Sequence, residues 1–286
     1  MDKTIVQKFH NAYIDANSKE LDNLWDNYAP KTVLKFFSGK YTEQGDNYFL
    51  ESIIKKSLWL SSPRLFNDPF DCLINCDYTD DIKFKINSVF KPILDNCQPK
   101  KPYYDVLFQI KLEELYSQYN EEMNSSNREW ERKMFIACFA EKDTITSSRM
   151  WGHYANNHMG ICAEYDWADV RDASPFACLP VKYTNTYEYI PNPTSDRDGT
   201  KNFMKFYTKA EEWEYEKEWR VAQQLDCKCN GVSVPFNLPR KVYLGCRISE
   251  KLKNDVVSIC ALNNIEVYQM RIKPNSYSLE FDKIEE

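Results

Sequence analysis

The chain has 286 residues and a net charge of −6, so its overall electrostatic field repels nucleic acids and other polyanions. Aromatic residues make up 15% of the sequence, which excludes an intrinsically disordered chain because so much ring surface can offset the entropy lost on folding. The length fits one large domain or two small ones, and we predict a single α+β domain over residues 1–286.

The predicted elements begin with two short strands on either side of a helix. KTVLKFFSGK predicts a strand that ends at Gly39, DNYFLESIIKKS an amphipathic helix, and LWLSSP a strand that Pro63 ends. RLFNDPFD is predicted as a loop, because Asn-Asp-Pro favours a turn. From about residue 80 to 132 the spacing is mainly helical, and we interpret this stretch as a helical insertion.

The remaining sequence alternates between strands and helices. KMFIACFAE predicts a buried strand, SSRMWGHYANNH a short capped helix, and GICAEYD the next strand. LPVKYTN is strand-like, FMKFYTKAEEWEYEKEW starts with helical spacing, and EWRVAQQL alternates as a strand does. The strand KVYLGCRI, the helix SEKLKNDVVSICALNN and the strand IEVYQMRIK follow. This interleaving predicts an α+β fold with a mixed β-sheet core.

The apolar runs and the cysteine spacing bear on the cellular location of the protein and on whether it holds structural zinc. We find neither a signal-peptide core nor a run of roughly 20 apolar residues, so we expect a cytoplasmic protein without a membrane partner. The spacings of Cys72 with Cys76 and of Cys227 with Cys229 do not form the paired C-x-x-C array of a structural zinc site. No metal is therefore predicted as a cofactor.

The stretch FNDPFD combines a turn with a carboxylate that the turn does not need. Asn67 and Asp68 can bond to backbone amides two residues further on, so an Asx-turn explains them without a function. We expect the two rings, Phe66 and Phe70, to be core anchors. Asp71 has no role in such a turn, which makes it a candidate for binding.

Two further stretches carry candidate chemistry. In MWGHYA, helical spacing directs Trp151 and Tyr154 to a core and His153 elsewhere. The His153 imidazole could act as acid or base beside Asp68 or Asp71, and the alternative is a structural role.

In WEYEKEWR, an extended chain would align three carboxylates that need a cation nearby. They are Glu214, Glu216 and Glu218, with Arg220 and Lys217 as the local cations; the alternative is a charged helix end in water.

In combination these motifs resemble a known family. LWLSSPRLFNDPFDC, CFAEKDTITSSRMWGHYANNHMGICAEYD, VKYTN, YEKEWRV and VYLGCRI, in this order, resemble a large bacterial family, domain-of-unknown-function family twenty-nine seventy-one. The resemblance runs from about residue 31 to 271. It indicates a family and leaves the chemistry open.

Part of the pattern also resembles the arginine-serine-glutamate branch of the ADP-ribosyltransferases. That branch has a basic residue on an early strand, a strand with a Ser-Thr-Ser-like end, and a Glu-x-Glu. The similar positions here are Lys35 in LKFF, Ser61 and Ser62 in LWLSSP, and Glu216 and Glu218 in EKE. The chain departs from the branch in having lysine where arginine or histidine is expected and a longer segment between the serines and the glutamates.

This resemblance implies an enzyme that cleaves NAD, with NAD as the nucleotide substrate and an undefined acceptor. A role in toxin or phage-defence systems is a general expectation for bacterial families of this kind. The expected catalytic residues are Glu218, Glu216 and His153. The expected substrate-binding residues are Lys35, Ser61, Ser62, Arg64, Asn67, Asp68, Asp71, Tyr154 and Arg220. Two alternatives are a non-catalytic binding or sensor module with a protein partner, and a metal-dependent phosphoesterase or nuclease that uses Asp68, Asp71, His153 and a glutamate.

Overall fold

A computed structural model describes residues 1–72, 83, 88, 102–173, 177–186, 203–227 and 229–285. The strands within these residues are β1 (Thr32–Phe37), β2 (Ser57–Ser61), β3 (Met134–Glu141), β4 (Ile161–Asp166), β5 (Ala177–Pro180), β6 (Lys182–Tyr183), β7 (Thr208–Lys209), β8 (Glu218–Gln224), β9 (Gly231–Pro235), β10 (Lys241–Leu244), β11 (Glu266–Ile272) and β12 (Leu279–Lys283). The α-helices are α1 (Lys3–Ile14), α2 (Ser18–Tyr28), α3 (Tyr48–Lys55), α4 (Pro102–Glu131), α5 (Ser148–Tyr154), α6 (Trp167–Asp172) and α7 (Glu250–Leu262). Short 3-10 helices cover Pro63–Leu65, Lys142–Thr146, Met204–Tyr207 and Glu211–Glu216.

The predicted α+β class with a mixed sheet is confirmed. Ten of the described strands form one sheet, in which the order β12-β11-β10-β4-β1-β3-β2-β9 is joined by β8, paired to β3, and by β5, paired to β8. Strand β10 runs parallel to β11, and the other pairs in this sheet are antiparallel. Strands β6 and β7 form a separate parallel pair.

Both faces of this sheet are covered, which explains why β3 reads as an almost continuous apolar run. Leu34 of β1 and Ala140 of β3 belong to one buried cluster, together with Trp151 of α5. Val33, next in the chain to Leu34, belongs to a larger cluster that includes Val256 of α7. Neighbouring residues of a strand point to opposite faces, so the two clusters form the core on either side of the sheet.

The sheet splits where β1 and β2 meet β3. Strand β8 occupies one edge of β3 from Met134 to Ala140, so β1 and β2 share the other edge. Strand β1 pairs there with Ala140 and Glu141, whereas β2 pairs with Ile136. Between these contacts the two strands diverge, and the edge of β3 around Cys138 faces a gap. That gap contains the site described below.

One predicted helical segment differs from the observed structure. The helical spacing of FMKFYTKAEEW forms two short 3-10 helices separated by β7, because the chain must return to pair with β6. Helix α4 lies within the predicted insertion, while most of residues 80–101 fall outside the described residues. None of the helices in the described ranges is both long and apolar enough to cross a membrane.

Candidate functional site

A cavity of about 360 Å³ fills the gap between β1 and β2. The split sheet, the FNDPFD loop, helix α5 and the segment from β7 to β8 all contribute to its walls. Of the residues predicted from the sequence, those that line it are Glu216, Glu218, His153, Lys35, Ser61, Asn67, Asp71 and Tyr154. The cavity walls do not include Ser62, Arg64, Asp68 or Arg220.

Arg220 lies beneath the cavity and is completely buried. Its guanidinium donates to both oxygens of Asp71, at 2.8 and 2.7 Å, and to both oxygens of Glu218, at 2.9 and 3.0 Å. Nη1 also donates to the Phe206 carbonyl at 2.9 Å. All five N–H donors of the guanidinium are thereby satisfied, which is what allows a full charge to be buried in the core. Arg220 therefore fixes Asp71 and Glu218 relative to each other.

Lys209 is a second buried cation in the same cluster. Its Nζ lies 2.6 Å from Glu216 Oε2, 3.4 Å from Glu218 Oε2 and 3.5 Å from Asp71 Oδ2. The two-residue strand β7 positions this side chain, and so short a strand leaves no periodic pattern in the sequence. The sequence indicates Lys217, together with Arg220, as the cation beside the glutamates, but Lys217 pairs with Asp143 at the surface.

The environment separates the pKa values of the two glutamates. Burial alone would raise the pKa of Glu218, but the charges of Arg220 and Lys209 outweigh burial and lower this pKa to about 2. Burial, followed by the charge of Glu218, raises the pKa of Glu216 despite the opposing charge of Lys209. Glu218 is therefore a permanent anion near neutral pH, whereas Glu216 binds a proton more readily, a division that suits two different chemical roles.

Helix α5 contributes Tyr154 and His153. The Tyr154 hydroxyl donates to Glu216 Oε1 at 2.5 Å, and burial together with the Glu216 charge raises the pKa of Tyr154. Trp151 of the same helix is buried as predicted, and His153 is exposed at the mouth of the cavity. The ring of Trp213 lies 5.9 Å from the imidazole, centroid to centroid. Tyr154 thus orients Glu216, and His153 lies exposed on the cavity wall.

The FNDPFD loop has both structural and lining residues. Asp68 Oδ1 accepts from the Phe70 amide at 2.9 Å, which is the predicted Asx-turn, while Asn67 is exposed on the cavity wall. The prediction that Phe70 anchors the core is wrong, because the turn directs this ring outward and leaves it 61% exposed. Phe66 packs under the Arg220 guanidinium, 5.4 Å from ring centroid to Cζ.

The predicted residues of β1 and β2 separate into two groups. Lys35 Nζ donates to the Cys138 carbonyl at 3.3 Å, on the edge of β3 that the split leaves open, and burial lowers the pKa of Lys35. Ser61 Oγ accepts from Trp59 Nε1 at 3.1 Å. Ser62 is buried outside the cavity wall, and Arg64 is exposed on the 3-10 helix after β2. Lys35 and Ser61 are therefore part of the cavity, and Ser62 and Arg64 are not.

The predicted row of three glutamates is only partly correct. Glu214 lies on the 3-10 helix, with a side chain that is 52% exposed and 4.0 Å from Lys3 Nζ. Lys217 adopts a left-handed conformation, φ 45°, between this helix and β8. Because of this turn, the segment is not continuously extended. Glu216 and Glu218 nevertheless both point into the cavity.

A metal-binding cluster is absent from the described part of the chain, in which no group of three or more His, Cys, Asp or Glu side chains has a suitable arrangement. The carboxylates of the cavity instead bind Arg220 and Lys209. Protein cations thus occupy the positions at which a divalent ion would bind these oxygens.

Comparison with known proteins gives one match. Searches of curated proteins and of solved structures found no match to the chain. A family model described as "Protein of unknown function (DUF2971)" matches residues 150–221. The matched segment contains His153, Tyr154 and the whole stretch from Glu216 to Arg220, so it includes part of the cavity wall and most of the ionic cluster. Residues 150–221 are therefore similar to this family of proteins of unknown function, in agreement with the resemblance that the sequence motifs indicate.

Proposed function

We propose that this cavity binds NAD and cleaves its nicotinamide–ribose bond, transferring ADP-ribose to water or to another acceptor. The observation that carries the proposal is the convergence of Lys35, Ser61 and Glu218 on one cavity, since they lie on three different strands and Glu218 of β8 is far along the sequence from β1 and β2. A basic side chain, a hydroxyl and a carboxylate around one cleft are what the ADP-ribosyltransferase resemblance implies.

Glu218 is suited to stabilise the positive charge that develops on the ribose. As the bond from C1′ to the nicotinamide nitrogen breaks, its electron pair leaves with nicotinamide and the sugar becomes an oxocarbenium-like cation. A carboxylate fixed beside that cation lowers the barrier, because it needs no reorganisation when the charge appears. Arg220 fixes Glu218 and keeps it ionised.

Glu216 is suited to accept a proton from the attacking acceptor. When an acceptor O–H adds to C1′, the new C–O bond forms and the proton must leave. The raised pKa of Glu216 makes it a better base than Glu218, and its carboxylate is held by the Tyr154 hydroxyl at Oε1 and by Lys209 at Oε2. His153, exposed at the mouth, lies where an acceptor would approach.

The remaining cavity walls fit the other parts of the substrate. Phe36, Phe66 and Tyr154 supply aromatic surface for a planar nicotinamide ring, whose positive charge the acidic cluster would favour. Lys35 supplies a cation for the diphosphate. The cavity thus combines ring surface, cation and carboxylate within a volume of about 360 Å³.

The test compares three glutamine variants of one segment in a nicotinamide-release assay. Glu218→Gln and Glu216→Gln should lower kcat by on the order of a hundredfold or more, with a much smaller change in KM, because they remove charge that acts mainly in the transition state. Glu214→Gln is the matched control, since Glu214 is exposed and should retain wild-type kinetics.

Thermal unfolding of each variant should confirm that it is folded at the assay temperature. A folded Glu218→Gln protein that releases nicotinamide at the wild-type rate would contradict the assigned role.

A further inference from the structure

A second cavity, of about 430 Å³, adjoins the first. The two share Lys35, Phe36, Trp59 and Leu65, so they form one continuous groove along β1 and β2. The carboxylates lie at one end of this groove. The other end is walled by helix α3, beginning at Tyr48, and by the loop that follows β1.

Trp59 presents a fixed aromatic surface in this second cavity. Its Nε1 donates to Ser61 Oγ at 3.1 Å, and a Cβ added to Gly231 of β9 would lie only 2.3 Å from its ring. Glycine at position 231 thus lets the ring pack directly on the backbone of the neighbouring strand. The residue nevertheless remains 42% exposed, and Tyr48, which is 62% exposed, lies 6.3 Å away between ring centroids.

Lys35 lies where the two cavities meet. Its ammonium has three donors, one of which bonds to the Cys138 carbonyl at 3.3 Å. Burial lowers the pKa of this lysine, so an anion placed beside it would favour its charged form. The position between an aromatic platform and a carboxylate cluster matches the place of the diphosphate between the two halves of a dinucleotide.

We propose that the second cavity is a subsite for the adenosine half of a dinucleotide, whose base stacks on Trp59 and whose phosphates contact Lys35. The direction of binding rests on the proposed function, which places the nicotinamide half beside Glu218. A rigid aromatic surface suits this role, because stacking on a side chain that is already ordered costs little further entropy.

The test measures AMP and nicotinamide mononucleotide binding separately by calorimetry. Trp59→Ala should weaken AMP binding about tenfold or more, and Trp59→Phe, which keeps a ring, should weaken it less. Binding of nicotinamide mononucleotide should weaken much less in both, because Trp59 only borders the first cavity, in which Glu216 and Glu218 lie. Tyr277→Ala is the matched control, because Tyr277 is a fully exposed tyrosine between β11 and β12, at the opposite edge of the sheet from Trp59.

Unchanged AMP affinity in folded Trp59→Ala protein, or no AMP binding by the wild type, would overturn the subsite. If Trp59→Ala does not fold, Tyr48→Ala replaces it, with the same direction of effect expected. Trp59-dependent AMP binding by a protein that leaves NAD intact would retain the subsite and reject the proposed function. NAD cleavage with the same KM in Trp59→Ala as in wild type would reject the subsite and retain the proposed function.

Discussion

Replacing Asp71 with asparagine tests how the FNDPFD loop is attached to the sheet. Asp71 accepts two charge-assisted hydrogen bonds from Arg220, and both partners are buried. Asparagine has nearly the same shape but lacks the charge, and its amide N–H₂ would face a guanidinium that is also a donor. The change therefore removes one hydrogen bond and one of the two carboxylates that neutralise Arg220.

The size of the effect follows from these contacts. Breaking a buried ion pair costs about 3–5 kcal/mol, and a hydrogen bond to a charged group contributes about 1.5–3 kcal/mol. Because Glu218 still pairs with Arg220 in the variant, we expect Asp71→Asn to lower the free energy of unfolding by about 2–4 kcal/mol. For a chain of this size that is a fall of roughly 5–10 °C in Tm.

Urea unfolding followed by tryptophan fluorescence measures this difference, with calorimetric Tm as a second readout. The matched control is Asp143→Asn, since Asp143 pairs with Lys217 at the surface and should contribute less than about 1 kcal/mol. A loss below about 1 kcal/mol for Asp71→Asn, or one equal to that of the control, would refute the assignment of the Asp71–Arg220 pair as the anchor of the loop.

Three further changes test other parts of the structure. Because the pKa of Glu218 is lowered from 4.5 to about 2, its contribution to stability is complete above pH 4.5 and is lost as the pH falls toward 2. Glu218→Gln should therefore remove on the order of 3 kcal/mol from the acid-dependent loss of unfolding free energy, measured by urea unfolding at each pH, and an unchanged pH dependence would contradict this. Asn47→Ala should lower the free energy of unfolding by about 2 kcal/mol, because buried Asn47 caps α3 through the Phe49 and Leu50 amides; an unaltered Tm would exclude this cap. Gly231→Ala should cost about 1–3 kcal/mol by displacing the Trp59 ring, and wild-type stability together with wild-type AMP affinity would show that the ring is not held there.

The large elements of this fold could be predicted because each carries its own pattern. Strand β3 is buried on both faces and reads as an apolar run, and α5 is preceded by Ser147, whose side chain accepts a hydrogen bond from the Met150 amide and caps the helix. The carboxylates of EKE could be identified because like charges so close together repel each other unless a cation lies nearby. Such signals are local, and they survive in a single sequence.

The ionic cluster could only be predicted in part, because it depends on pairing between distant segments. Asp71 and Arg220 are 149 positions apart, and only the sheet brings them together. Lys209 was missed, since a strand of two residues leaves no period, and the left-handed turn at Lys217 cannot be inferred from a lysine. The exposure of Phe70 could not be predicted either, because a ring beside a turn can face the core or the solvent.

Cleavage of the nicotinamide–ribose bond of NAD is the activity that we propose for this protein. The most direct measurement incubates the purified full chain with NAD, alone and with cell RNA, DNA or protein, and follows nicotinamide and ADP-ribose by chromatography. We predict that nicotinamide appears in step with the loss of NAD, with an equal amount of ADP-ribose recovered free or attached to an acceptor. Intact NAD under every one of these conditions would contradict the claim and would favour a non-catalytic binding module.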